Sequence, residues 1–181
     1  MEKMEGLDRI KKEFRDLNEQ PLGNCGITIG LPDENDFRKW RVSLIGAKDT
    51  SYKGGLFYLL VTFPEDYPER PPEICFLTPI YHLNVNPFAP KSPGSLPLGY
   101  IGISTLIWWK SDYTMRKVLV DIFALFYLGN PNSAYYFEIS DEFINNRKIF
   151  EEKIKYFTKK YAHPTKSMNY PPRDKDWDFS L

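Results

Sequence analysis

Leu7, Ile10, Phe14 and Leu17 recur at steps of three and four, with Lys11, Lys12, Glu13, Arg15 and Asp16 on the other faces. That spacing predicts an amphipathic helix over about residues 3 to 18, ended by Pro21 and Gly23. The period then changes to two. Cys25, Ile27 and Ile29, and then Trp40, Val42 and Leu44, read as two strands of a hairpin bounded by Pro32-Asp33-Glu34-Asn35 and Gly46. After Gly54-Gly55, the run from Leu56 to Phe63 is apolar and rich in β-formers, and Pro64 stops it because proline cannot donate to a ladder. A fourth strand, Glu73 to Leu77, is entered through Pro71-Pro72 and left through Pro79. The connections are too short for crossover helices, so the sheet is expected to be an antiparallel meander.

Helical periodicity returns at Met115, Val118, Leu119, Ile122, Phe123 and Phe126, with Thr114 as N-cap and Gly129 as the stop. So broad an apolar face predicts a buried central helix. Two more helices follow, around Glu138 to Asn145 and from about Arg147 to Tyr161, the latter striped by Phe150, Ile154, Phe157 and Tyr161. Strands followed by helices place the chain in the α+β class. The boundaries are one domain over residues 1–161 and a tail over residues 162–181. The tail combines Pro164, Pro171-Pro172 and charged residues with Tyr170, Trp177 and Phe179. A Pro-rich polar segment tends to fray, so its aromatic residues are expected to dock on the domain or on a neighbouring chain.

Composition narrows the function classes. The chain has 181 residues and 24 basic against 24 acidic side chains, so no net charge draws it to nucleic acid or anionic lipid. Cys25 and Cys75 are its only cysteines. They form no CxxC and lie near no His-rich cluster, so neither a disulfide framework nor a metal site is expected, and a reducing compartment fits best. Cys75, inside a strand, reads as a packed small residue rather than a reactive thiol. The start is acidic and lacks an apolar signal core, and no apolar run approaches the ~20 residues that span a bilayer. The expectation is a cytoplasmic or nuclear protein, with an organellar assembly left open, that uses no cofactor.

The stretch Gly54-Gly55-Leu56-Phe57, followed by Phe63-Pro64-Glu65-Asp66-Tyr67-Pro68-Glu69-Arg70-Pro71-Pro72, resembles the ubiquitin-conjugating enzyme signature of a Gly-Gly-x-Phe strand and Phe-Pro-x-x-Tyr-Pro-x-x-Pro-Pro. The resemblance extends through Tyr81-His82-x-Asn84, Gly99-x-Ile101, Trp109, Thr114-Met115-x-x-Val118-Leu119 and Pro131-Asn132, over roughly residues 5 to 161. It implies a thioester chemistry in which a cysteine accepts ubiquitin and a substrate lysine attacks, with the His-Pro-Asn asparagine supplying or positioning an oxyanion donor. Here His82 and Asn84 are kept, the proline between them is Leu83, and the cysteine's position is held by Gly102. Gly102 has no side chain, so no covalent intermediate can form there. Ser104 is the nearest hydroxyl, but it needs a base that only His82 or His163 could provide, and it reads as an ordinary polar or capping residue. His82 reads as a structural histidine, and Cys25 lies too far along the chain to substitute.

Further departures favour loss of the cysteine in the natural sequence over a laboratory change. Glu69 stands where ligase-binding members commonly present phenylalanine, Trp109-Lys110-Ser111-Asp112 lacks the Ser-Pro-Ala turn, and Pro87 to Leu98 is an insertion. The reading is therefore a pseudoenzyme with the vestigial site Gly102, Asn84 and His82. It would act as a binding module or as a structural subunit of a larger assembly. The resemblance implies protein partners: an active conjugating enzyme, a ubiquitin-like modifier, or the subunits of a complex. Candidate contacts are Trp108, Trp109, Tyr170, Trp177 and Phe179, because aromatic residues anchor interfaces. The alternative is an active ubiquitin-conjugating enzyme, transferring ubiquitin as a thioester, whose cysteine has been replaced by glycine.

Overall fold

A computed structural model describes residues 2–164 and 173–180. Helix α1 spans Glu2–Glu19. It is followed by a 3-10 turn at Gly23–Cys25 and by strands β1 (Ile27–Gly30), β2 (Lys39–Ile45), β3 (Leu56–Thr62) and β4 (Glu73–Phe76). The strands pair in sequence order, each antiparallel to the last. Cys25 sits in the 3-10 turn rather than on β1. The period-two pattern becomes a one-sided core. Trp40, Val42 and Leu44 of β2 lie opposite Val61, Leu59 and Phe57 of β3, and all six are fully buried.

Four helices follow the sheet: α2 (Ser104–Ile107), α3 (Met115–Ala124), α4 (Phe137–Asn145) and α5 (Arg147–Tyr161), with a 3-10 turn at Pro131–Ser133. The short α2 was not expected. Helix α3 buries Met115, Val118, Leu119 and Ile122 and is capped by the Thr114 side chain, which accepts from the Lys117 amide. It ends at Ala124, five residues before Gly129, because the chain tightens into turns bonded Leu125 to Ile122 and Phe126 to Phe123. The tightening brings Phe126 into the core, 5.1 Å from Tyr52 and 5.4 Å from Phe57 between ring centres.

Glu13 differs from its expected place on the polar face of α1, since it is 8% exposed. Its carboxylate accepts from Arg9 Nε at 2.9 Å, Tyr67 Oη at 2.8 Å and the Met115 amide at 2.6 Å. A buried carboxylate is tolerated only when so satisfied. The same contacts tie α1 to the start of α3 and to the loop after β3.

The described part of the tail packs on the domain. The Trp177 amide donates to Pro87 O at 2.9 Å, the Ala89 amide to Asp176 Oδ1 at 2.8 Å, and Arg173 to Leu98 O at 2.7 Å. Trp177 is 8% exposed, and Phe179 lies 5.0 Å from both Tyr81 and Phe157. Residues 173–180 thus clasp the Pro87 to Leu98 insertion. Their aromatic side chains pack within this chain.

Candidate functional site

The backbone of the site is built on the sheet edge. Residues 99–101 run beside β4: the Phe76 amide donates to Gly99 O at 2.8 Å and the Ile101 amide to Ile74 O at 3.3 Å. Gly99 has φ 79°, and a Cβ there would collide with the Phe76 carbonyl, so the chain needs glycine to pass so closely. Asn86 closes the insertion at its base. Its side chain donates to Phe88 O at 3.1 Å and Pro97 O at 3.0 Å, and the Gly99 amide donates to Asn86 O at 2.7 Å.

His82, Asn84 and Gly102 come together, as the family resemblance implies. The Gly102 amide donates to Asn84 O at 2.9 Å. His82 is buried. Its Nδ1 accepts from the Asn84 amide at 3.0 Å, so the proton lies on Nε2, which donates to Leu125 O at 3.0 Å. Burial pushes its pKa down to about 4, partly opposed by the Leu125 carbonyl. The ring is neutral near pH 7, and both nitrogens are engaged, leaving neither to serve as a base for Ser104. Asn84 is equally committed. Its amide nitrogen donates to Asn130 O at 2.8 Å and Ser133 O at 3.0 Å, and its oxygen accepts from the Asn130 amide at 2.8 Å. Both N–H protons hold the 130–133 turn, so neither is directed at position 102.

Tyr135 is the member of this site that the sequence did not reveal. Its amide donates to Leu83 O at 2.9 Å, which brings its ring over Gly102. A Cβ built on Gly102 would lie 2.8 Å from Tyr135 Oη and 3.0 Å from Cε2. The half-buried Tyr135 ring therefore stands where a side chain at position 102 would enter and must shift to admit one. Burial raises the pKa of Tyr135, so the phenol is protonated at neutral pH. Leu83, in place of the family's proline, is buried at 1% exposure, and its Cδ2 packs so near Gly129 that a Cβ there would be 2.5 Å away.

The other candidates fall elsewhere. Ser104 begins the one-turn helix α2 and is exposed, not extended beside Gly102. Burial drives the Cys75 thiol up to about 12, which keeps it protonated and unreactive. Trp109 is half-buried. Its indole donates to Pro68 O at 2.6 Å, and its ring lies 5.9 Å from both Tyr67 and Tyr113, so it braces two loops. Trp108 is 75% exposed beside Ile107 at 55%. Tyr170 lies outside the described residues. Trp177 and Phe179 pack against the domain, as described above.

Among the described residues no group of three or more His, Cys, Asp or Glu side chains could hold a metal ion. No described helix is long and apolar enough to cross a membrane. The arrangement presents two buried polar side chains serving the backbone, a glycine, and a tyrosine covering it. The family model described as ubiquitin-conjugating enzyme matches residues 9–158.

Proposed function

Because the chain belongs to the ubiquitin-conjugating enzyme family, we propose that it serves ubiquitin conjugation as a non-catalytic member, a binding module or the structural subunit of an assembly. The observation that carries this reading is Tyr135 Oη, 2.8 Å from where a Cβ on Gly102 would sit. Acyl transfer needs an accessible nucleophile and a donor aimed at the oxyanion. Position 102 offers no side chain, the space above it is occupied, and Asn84 spends both amide protons on the 130–133 turn. The departures at Leu83, Glu69 and Trp109-Lys110-Ser111-Asp112, which a change of one cysteine would not bring, support loss in the natural sequence.

The intact core supports a role that depends on shape. Contact surfaces consistent with binding are Trp108 with Ile107, and Phe137 at 78% exposure on α4, since exposed aromatic residues are common anchors. The partners that fit are an active conjugating enzyme, a ubiquitin-like modifier or fellow subunits, in the cytoplasm, the nucleus or an organellar assembly. The test is to incubate the native chain with ubiquitin, its activating enzyme and ATP, and to resolve the products on non-reducing gels. The expected result is no thioester or oxyester adduct; a ubiquitin adduct on this chain would overturn the reading.

A further inference from the structure

A cleft of about 470 Å³ lies between the C-terminal segment and helices α4 and α5, outside the Gly102 site. Its walls include Tyr81, Tyr136, Trp177 and Phe179. The Tyr81 and Phe179 rings meet edge to face at 5.0 Å, and Trp177 lies 6.1 Å from Phe179. Two carboxylates enter from α4, Glu138 and Glu142, and two from the C-terminal segment, Asp176 and Asp178. The one cationic group lining the cleft is Lys153 among the described residues.

Lys153 shows what this lining holds. Its ammonium is 2.5 Å from Glu142 Oε1 and 5.7 Å from the centre of the Tyr81 ring, paired with a carboxylate and set against an aromatic face. Glu138 and Asp176 have no lysine or arginine nitrogen within 4.0 Å among the described residues. Asp176 anchors the insertion through the Ala89 amide at 2.8 Å, and Asp178 accepts from the Ser180 amide at 2.9 Å; both aspartates are exposed and line the cleft. Hydrogen-bond contacts to Ser180 hold the Asp178 pKa below the usual range, so it is charged at neutral pH. Aromatic faces attract an ammonium through the ring quadrupole, and flanking carboxylates add Coulomb attraction while repelling anions.

We infer that the aromatic and acidic cleft between the C-terminal segment and α4–α5 is a receptor for a second alkylammonium group, primary or methylated, entering between Tyr136 and the Glu138 and Asp176 carboxylates. The site does not depend on position 102, so it stands or falls separately from the non-catalytic reading. The experiment follows the indole N–H resonances of the full-length, ¹⁵N-labelled chain during titration with tetramethylammonium chloride, against sodium chloride at equal ionic strength. The expected result is a saturable shift of Trp177 with Trp40, in the core, unmoved. Tyr136→Leu and Glu138→Gln should each weaken binding by roughly two- to fivefold, as the loss of one ring face or one charge at a solvent-accessible site implies. Choline and a trimethyllysine peptide then distinguish the source: a peptide about tenfold tighter assigns the group to a protein lysine, and equal affinity to a free alkylammonium compound. A response no different from sodium chloride, or one that neither variant weakens while Trp40 reports a native core, would overturn the inference.

Discussion

Replacing Gly102 by alanine adds one methyl group to the centre of the site, and two opposed effects set the outcome. Gly102 is not among the glycines with positive φ, so its backbone accepts a side chain. Such a change ordinarily stabilises by about 0.4–1 kcal/mol because the unfolded chain loses freedom. Against this, the new Cβ would sit 2.8 Å from Tyr135 Oη and 3.0 Å from Cε2, and the Tyr135 backbone is pinned by its bond to Leu83 O. Overlap of this kind costs up to about 1–3 kcal/mol, the upper end applying where packing holds the half-buried ring in place. The expected net effect is destabilisation by about 1 kcal/mol in the native background. With Tyr135→Ala the obstruction is gone, so Gly102→Ala should then stabilise by about 0.4–1 kcal/mol. Urea denaturation of the four proteins, read as midpoints at constant m, gives the coupling, expected at about 1–3 kcal/mol. Equal stabilisation by Gly102→Ala in both backgrounds would refute the claim that Tyr135 fills the space.

Asn84→Ala removes three hydrogen bonds to the 130–133 turn and should cost about 2–4 kcal/mol in the same urea assay, the range expected when buried partners are left unsatisfied. His82 titrates at about 4 in the folded chain, against 6.5 when unperturbed. The unfolded state therefore binds the proton first as pH falls, and stability should drop by up to about 3 kcal/mol between pH 7 and pH 4. A His82→Asn variant should flatten that part of the profile, and an unchanged slope would contradict the neutral, buried ring. Trp177→Ala should release the clasp without unfolding the domain. Trypsin would then cut faster at Lys175 and Lys91, while the urea midpoint of the core moves little.

What the sequence made legible follows from how local each signal is. The stripe of α1, the alternation of β2 against β3 and the apolar face of α3 are periodic, and periodicity survives folding because it is what the core selects. Glu13 was misplaced for the converse reason: a carboxylate among apolar positions reads as surface, and only Tyr67 and the Met115 amide, brought in by tertiary structure, make its burial tolerable. The helix α2 is a single turn, too short for a periodic signature. At the site, His82, Asn84 and Gly102 were visible through the family resemblance. Tyr135 was not, since it lies in an irregular segment far along the chain and meets Gly102 only through its backbone bond to Leu83. A tyrosine pair just after Pro131-Asn132, opposite a missing side chain, was the available hint. The tail's aromatic residues suggested docking but not its address, which is set by hydrogen bonds from the insertion and by the Phe157 and Tyr81 rings.

The central claim is that position 102 has lost both its nucleophile and the room for one. The most direct test compares Gly102→Cys with Gly102→Cys/Tyr135→Ala in a ubiquitin thioester assay containing the activating enzyme and ATP, with folding of each variant verified by its urea midpoint. The account predicts little or no thioester for the single variant and a clear gain, roughly tenfold or more for the removal of an obstruction worth about 1–3 kcal/mol, for the double variant. Efficient thioester formation by Gly102→Cys alone would contradict it, and would identify the chain as an active conjugating enzyme lacking only its cysteine.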